Sequence, residues 1–264
     1  MTQLADIQNS RDERALPINK VGVKGLRYPI VVRDKAHGRQ HTVGTFRMAV
    51  NLPGHFKGTH MSRFVEVLER HQSSISLREF RAMCAEIKQA LTATEAHVAV
   101  EFPYFVEKTA PRSGAPGLVS YACSIEASLN HEFDMVLGIV IPVQTLCPCS
   151  KELAKVSAHT QRGEITVKVR FREFVWIEDL IVLMEECASS PIWSVLEPED
   201  ADFVTRQAFL HPAFVEDVVR EAALRLRAHP AITWFSVEAE NFESIHNHSA
   251  YANIEMADEG NSSR

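Results

Sequence analysis

The feature that most constrains this chain is an order of elements that occurs twice. In the first half, Leu26 to Val32 and Thr42 to Leu52 read as strands. Within the second run, Phe46, Met48, Val50 and Leu52 share one face. Val43, Thr45, Arg47, Ala49 and Asn51 share the other, the period of two that marks a half-buried strand. Pro53-Gly54 breaks the run. Phe64, Val65, Val67 and Leu68 then take helical spacing. A second helix is predicted with Ser76 as its cap and Glu79 at the capping-box position. Its apolar face carries Phe80, Met83, Cys84, Ile87 and Leu91, which makes Cys84 a core residue. Strands follow over His97 to Val106 and Tyr121 to Leu129, with a loop from Glu107 to Gly114 between them.

The second half repeats that order. Met135 to Val143 is an apolar strand, and Glu164 to Phe171 alternates Ile165, Val167, Val169 and Phe171. Helices are predicted over Ile177 to Cys187 and Phe214 to Arg227, then strands over Ile232 to Glu238 and Ala250 to Ile254. Hairpins flanking paired helices imply an α+β fold, antiparallel sheets with helices on one face. The expected organisation is an N-terminal arm or flap over 1–18, one unit over 19–131, a second over 132–256 and a polar, disordered tail over 257–264. Sheet edges left open by each unit favour closure by neighbouring copies in a ring-like oligomer.

Charge and cysteine usage exclude several classes. A formal net charge of -6 argues against a general nucleic-acid surface. No apolar run reaches the roughly 20 residues that span a bilayer. The first residues carry no apolar signal-peptide core. Five cysteines is a low, odd count, so a reducing, cytoplasmic setting is expected and a disulfide framework is not.

Three polar groupings carry candidate chemistry. Leu146 to His159 opens Leu-Cys-Pro-Cys-Ser-Lys-Glu and ends in Ser-Ala-His. Thiolate and imidazole suit a borderline-soft metal such as zinc. Cys147 and Cys149 also read as two buried cysteines near a strand end, with His159 an unrelated surface histidine, since C-x-C is weaker than paired C-x-x-C knuckles. Phe242 to His248 places Glu243 beside His246 and His248, groups that trade protons near neutral pH. In a strand, H-x-H would put both rings on one side. Lys57, His60, Arg63, Lys108 and Arg112 form two basic loops, readable as an anion clamp or as solvated charge. Glu216, at a helix start, is either a partner of the helix dipole or an acceptor for a guanine edge.

Taken together, the segments Ser10-Arg11-Asp12, Pro17 to Gly22, Lys57 to Phe64, Lys108 to Pro111, Leu146 to Glu152, Phe214 to Asp217 and Glu240 to Tyr251 resemble the GTP cyclohydrolase type IB family. The resemblance implies a tandem tunnelling fold of two ββααββ units, assembled as a homotetramer. It implies conversion of GTP to 7,8-dihydroneopterin triphosphate and formate, opening tetrahydrofolate biosynthesis, with zinc, manganese or iron as metal. It makes Cys147 and His159 metal ligands and Glu216 the purine anchor. Cys149, Glu243, His246 and His248 become catalytic or positioning groups, with Cys147 among them through the metal. His60, Arg63, Lys108 and Arg112, read from the two basic loops, are the expected substrate-binding residues. One segment departs from the family pattern, in which a Leu-Lys-Arg-Pro-Asp-Glu type stretch ends in a metal-ligating Glu. Here it reads Leu196-Glu197-Pro198-Glu199-Asp200-Ala201, so either Glu199 or Asp200 is expected to replace that ligand, Glu199 before Asp200, or the site has one ligand fewer. Two rival readings stand beside this one. One is a deazaguanine nitrile reductase with a cysteine nucleophile. The other is a paralogue that binds a purine or pterin with altered or lost activity.

Overall fold

The computed structural model describes residues 8, 10–71, 77–154 and 156–257. The cap expected at Ser76 lies outside these residues, as does the tail beyond Ala257. The chain packs as two compact units. The first comprises residues 1–103 and 124–136, and the second comprises 104–123 and 137–264.

In the first unit, β1 (Ile18–Asp34) pairs antiparallel with β2 (Gly38–Leu52), and β2 pairs antiparallel with β3 (Ala96–Thr109). β1 is longer than its apolar stretch suggests because its N-terminal half is a polar strand. Gly25 takes φ +74° where the β1–β2 register slips between Lys24 and Leu26. A side chain is disfavoured in that conformation, which is why the bulge falls on glycine. The buried face of β2 is the predicted one, Phe46, Met48, Val50 and Leu52. α1 (Met61–His71), with Phe64, Val67 and Leu68 buried, packs on β1, and α2 (Leu77–Leu91), with Phe80, Met83, Cys84 and Ile87 buried, packs on β2. Each large side chain buried here contributes about 1.5–3 kcal/mol. The N-terminal stretch is tied down where it is described. Gly58 N–H donates to Gln8 O, Lys57 N–H to Ser10 O and Asp12 N–H to His55 O.

The second unit is built on β5 (Phe133–Leu146), β6 (Thr160–Phe171), β8 (Ile232–Asn241) and β9 (Ala250–Ala257), each antiparallel to the next. A two-residue β7 (Ser190–Pro191) pairs with β5. Ile139, Ile141, Val143, Ile165, Val167, Val169, Phe235 and Val237 form its buried face. Leu180, Ile181 and Met184 of α4 (Ile177–Glu185) and Val218, Val219, Ala222 and Leu226 of α6 (Val215–Ala228) are buried with them. Two helices were not expected from periodicity, the short α3 (Pro148–Leu153) and α5 (Pro198–Leu210). β4 (Pro116–Leu129) follows β3 through a turn closed by Ala110 N–H to Ala115 O, so the strands run into the predicted 107–114 loop. Among the described residues, no helix is long and apolar enough to cross a membrane.

Candidate active site

The register of β5 on β6 builds the site. Thr145 stands opposite Gln161, and Leu146 opposite Thr160, the last rung of the ladder. One step beyond, Cys147 N–H donates to the His159 carbonyl at 3.2 Å. Two residues well separated in sequence thus become cross-strand neighbours. Cys147 also caps α3: its Sγ accepts the Ser150 N–H at 3.5 Å. Pro148 takes the first helical position, where no N–H is required. The Ser150 hydroxyl accepts the His159 N–H at 3.3 Å, so this serine holds both segments. Cys149 is exposed in the first turn of α3.

On the other side of β6, Gly163 pairs with Asn241, and Phe242 N–H donates to Arg162 O at 2.9 Å. A Cβ on Gly163 would lie 2.8 Å from Asn241 Oδ1 and 2.9 Å from the Glu240 carbonyl, so glycine is needed for the strands to close here. The chain leaving β8 then brings Glu243 Oε2 to 3.9 Å and Ser244 Oγ to 3.5 Å from His159 Nδ1. That nitrogen has a nearer neighbour, Gln161 Oε1, at 2.9 Å. The Gln161 amide in turn donates to Thr145 Oγ1 at 3.0 Å. Gln161 also lines a cavity of about 370 Å³ with Gln144, Arg162, Ile192 and Trp193.

His246 and His248 lie in an exposed turn, not in a strand, yet their rings stack with centroids 5.0 Å apart and planes 21° apart. The start of α6 is fixed to the same end of the sheet, because Ala213 N–H donates to Leu146 O at 3.2 Å. Asp217 Oδ2 accepts the Phe214 N–H at 3.1 Å and so serves the helix start, while Glu216 is exposed in the first turn.

The remaining predicted residues stand in other arrangements. Lys108 Nζ contacts both oxygens of the buried Glu185, at 2.8 and 2.9 Å, and lies 4.9 Å from the centroid of the Trp193 ring. Burial pushes the Lys108 pKa down, opposed by Glu185. The Arg112 guanidinium sits over the Phe203 ring at 4.4 Å. Arg63 donates to the Ala90 carbonyl at 2.6 Å, and His60 is half-buried just before α1. Of the two carboxylates just before Ala201, Asp200 is fully buried and accepts from Arg112 N–H, Ser113 N–H, Ser113 Oγ–H and Glu197 N–H. Glu199 is exposed.

Among the described residues, no three His, Cys, Asp or Glu side chains are arranged to hold a metal ion. Cys147 and His159 nonetheless stand opposite one another at a partly exposed strand end, and thiolate and imidazole are donors that fit a divalent metal. Ser150 and Ser244 stand inside the Leu146 to Glu152 and Glu240 to Tyr251 segments, whereas Thr145, Gln161 and Gly163 carry this arrangement without belonging to a sequence motif. Only the strand register reveals them.

The model of the type I GTP cyclohydrolase folE2 family matches residues 4–252. A GTP cyclohydrolase FolE2 of Geotalea uraniireducens is 59% identical over 252 residues, covering 96% of this chain and 93% of that one. The GTP cyclohydrolase FolE2 of Geobacter sulfurreducens is 57% identical over 253 residues, covering 96% and 98%. Among solved structures, a uricase from Arthrobacter globiformis superposes with a TM-score of 0.55 at 11% identity, over 92% of this chain and 94% of that one. At that identity the likeness is one of fold, the tunnelling fold expected from the sequence. With its family model matched over nearly the whole chain and relatives above half identity, this chain belongs to the type I GTP cyclohydrolase folE2 family.

Proposed function

We propose that this chain is a GTP cyclohydrolase I. It takes GTP and water to 7,8-dihydroneopterin triphosphate and formate, the entry to tetrahydrofolate biosynthesis. The observation that carries this reading is the convergence of Cys147, His159 and Glu243 at the ends of β5, β6 and β8. Cys147 and His159 would hold a divalent metal such as zinc, manganese or iron. A metal bound there supplies Lewis acidity for hydrating the guanine C8. Glu199 is the third ligand proposed, Asp200 being taken up by its own hydrogen bonds; the alternative is a site with one ligand fewer.

The other groups take roles that suit their chemistry. Glu216 accepts N–H bonds from the guanine edge, a role for which Asp217 is not available because it serves the helix start. His246 and His248 exchange protons with the opening ring. Glu243 and the exposed Cys149 position the reacting base. His60 and Arg63 in the first unit, and Lys108 and Arg112 in the second, are the basic residues assigned to triphosphate contact, with no single site across the two units implied. Arg63 gives Ala90 a single bond, whereas a guanidinium has five N–H donors. The active form is read as a cytoplasmic homotetramer.

The test is formate and fluorescent pterin release from GTP after chelation and re-addition of single metals. Activity that returns with one metal, and is absent in Cys147→Ala and His159→Ala, is the expected result. Wild-type formate release by Cys147→Ala would remove the ligand assignment. Unchanged GTP affinity and rate in Glu216→Gln would remove the purine anchor. Binding of GTP without formate release under every metal would favour the non-catalytic reading.

A further inference from the structure

We propose that Gln161, held in place by Thr145, is a positioning residue that fixes His159 as the tautomer protonated at Nδ1 and so presents the Nε2 lone pair to a divalent metal. The inference rests on the reading of His159 as a metal-holding residue. It concerns what makes that residue competent.

Antiparallel register places Thr145 and Gln161 directly opposite one another. Both are buried, Thr145 completely and Gln161 to within 6%. Bulk water therefore cannot substitute for either partner, and each polar atom needs a protein partner. The Gln161 amide has one donor end and one acceptor end. Its Nε2 donates to Thr145 Oγ1 at 3.0 Å, and its Oε1 faces His159 Nδ1 at 2.9 Å. The Thr145 hydroxyl holds the amide in place but can serve either end of it, so the atoms around Nδ1 decide which end faces the ring. A carbonyl oxygen only accepts, so this contact is a hydrogen bond only when Nδ1 carries the proton.

A second group of atoms points the same way. Glu243 Oε2 and Ser244 Oγ lie 3.9 and 3.5 Å from that same nitrogen. Nδ1 is thus ringed by oxygens, two of them unable to donate while Glu243 is ionised. A neutral imidazole with its proton on Nδ1 has its lone pair on Nε2. The reverse amide orientation would set an NH₂ against Nδ1, demand the lone pair there and send the proton to Nε2. A ring in that state could not bind a metal through Nε2. The orienting partners of metal-ligating histidines act in this way, and losing one weakens metal affinity 10- to 100-fold.

The experiment reads the tautomer directly, on metal-free protein with ¹⁵N-labelled histidine at about pH 8.5, where an imidazole is neutral. Long-range ¹H–¹⁵N correlations report which ring nitrogen is protonated, and His159→Gln assigns the signals. Wild type is expected to show His159 as a single Nδ1–H tautomer. Gln161→Leu is expected to show a mixture, and its zinc Kd, measured by chelator competition, should rise 10- to 100-fold. Gln161→Glu, which keeps an acceptor facing Nδ1, should restore the single tautomer and a zinc Kd near wild type. Thr145→Val, isosteric and lacking the hydroxyl, carries the same measurement if Gln161→Leu does not fold. A single Nδ1–H tautomer and a zinc Kd within about twofold of wild type in Gln161→Leu or Thr145→Val would overturn the proposal. His159→Ala separates the two levels. Unchanged zinc affinity there removes the metal-holding reading itself, whereas lost affinity with unaffected Gln161 and Thr145 variants removes only the positioning role.

Discussion

Arg112 N–H donates to Asp200 Oδ1 at 2.7 Å, joining the turn between β3 and β4 to the first turn of α5. Ser113 adds its N–H at 3.0 Å and its hydroxyl at 2.6 Å, and Glu197 N–H closes the set at 2.9 Å. Burial by itself would raise the Asp200 pKa. The bonds from Ser113, Glu197 and Arg112 outweigh it and hold the pKa at about 2, against an ordinary 3.8. A carboxyl whose folded pKa is depressed stabilises the fold above its unfolded pKa. It loses that contribution as pH falls through the folded value. Asp200→Asn is therefore expected to lower Tm by several degrees at neutral pH. The gap between wild type and variant should close between roughly pH 4 and pH 2. Thermal melts across that range check it, and a gap that stays constant to pH 2 would refute the assignment.

Lys108 and Glu185 yield a second prediction. Glu185 is buried and accepts from Lys108 Nζ and from the Tyr121 hydroxyl at 2.8 Å. Removing only the lysine strands a buried carboxylate, which costs about 3–5 kcal/mol. Lys108→Met should therefore unfold at markedly lower urea concentration. The Lys108→Met/Glu185→Gln double variant should recover most of the loss, because its neutral amide needs no counter-charge. Equal destabilisation in the two variants would mean that the ion pair contributes nothing.

The parts of this fold legible in the sequence are those in which burial follows a period. The alternating face of β2 and the stripe of α2 appear in the structure as read, because Phe46, Met48, Val50, Phe80, Met83 and Ile87 are buried at that spacing. α5 escapes such a reading because its buried residues are Asp200 and Ala208, which make no apolar stripe. Its signals are local ones, Pro198 at the first helical position and Glu199 and Asp200 in the first turn. The site divides in the same way. Cys147, His159, Glu243, His246 and His248 stand in recognisable segments, so their types are visible. Their mutual placement depends on which residue of β5 faces which residue of β6, a tertiary fact that no motif encodes. The same holds for Lys108, whose partner Glu185 lies on a distant helix.

Cysteine reactivity separates the five thiols. Cys84, Cys123 and Cys187 are buried, and burial pushes each thiol up to about 12. Cys149 is exposed and Cys147 half-buried. Only the thiolate is nucleophilic, so iodoacetamide at about pH 8 should label Cys149 first and Cys147 second on metal-stripped native protein. The other three should react only in denaturant. Peptide mass spectrometry after timed quenching reads the order, and early labelling of Cys123 or Cys187 would contradict the burial seen here.

Gly163 offers the sharpest test of how the strands make the site. It lies on β6 two residues after Gln161 and pairs with Asn241, from which the chain runs on to Glu243. A methyl group there would meet Asn241 Oδ1 at 2.8 Å, which a side chain can relieve by rotating. It would also meet the Glu240 carbonyl at 2.9 Å, which is backbone and cannot move alone. Relief therefore requires β6 and β8 to separate at this rung. Overpacking of this kind costs about 1–3 kcal/mol. Gly163→Ala should lower Tm accordingly and also shift Phe242 to Ser244 away from His159. Backbone amide chemical shifts of 242–244 report that displacement independently of stability. Asn241→Ala/Gly163→Ala should regain only part of the loss, because the clash with the Glu240 carbonyl persists. Full recovery in the double variant would show that the side-chain contact alone demands glycine and that strand spacing at the site is not set by this residue.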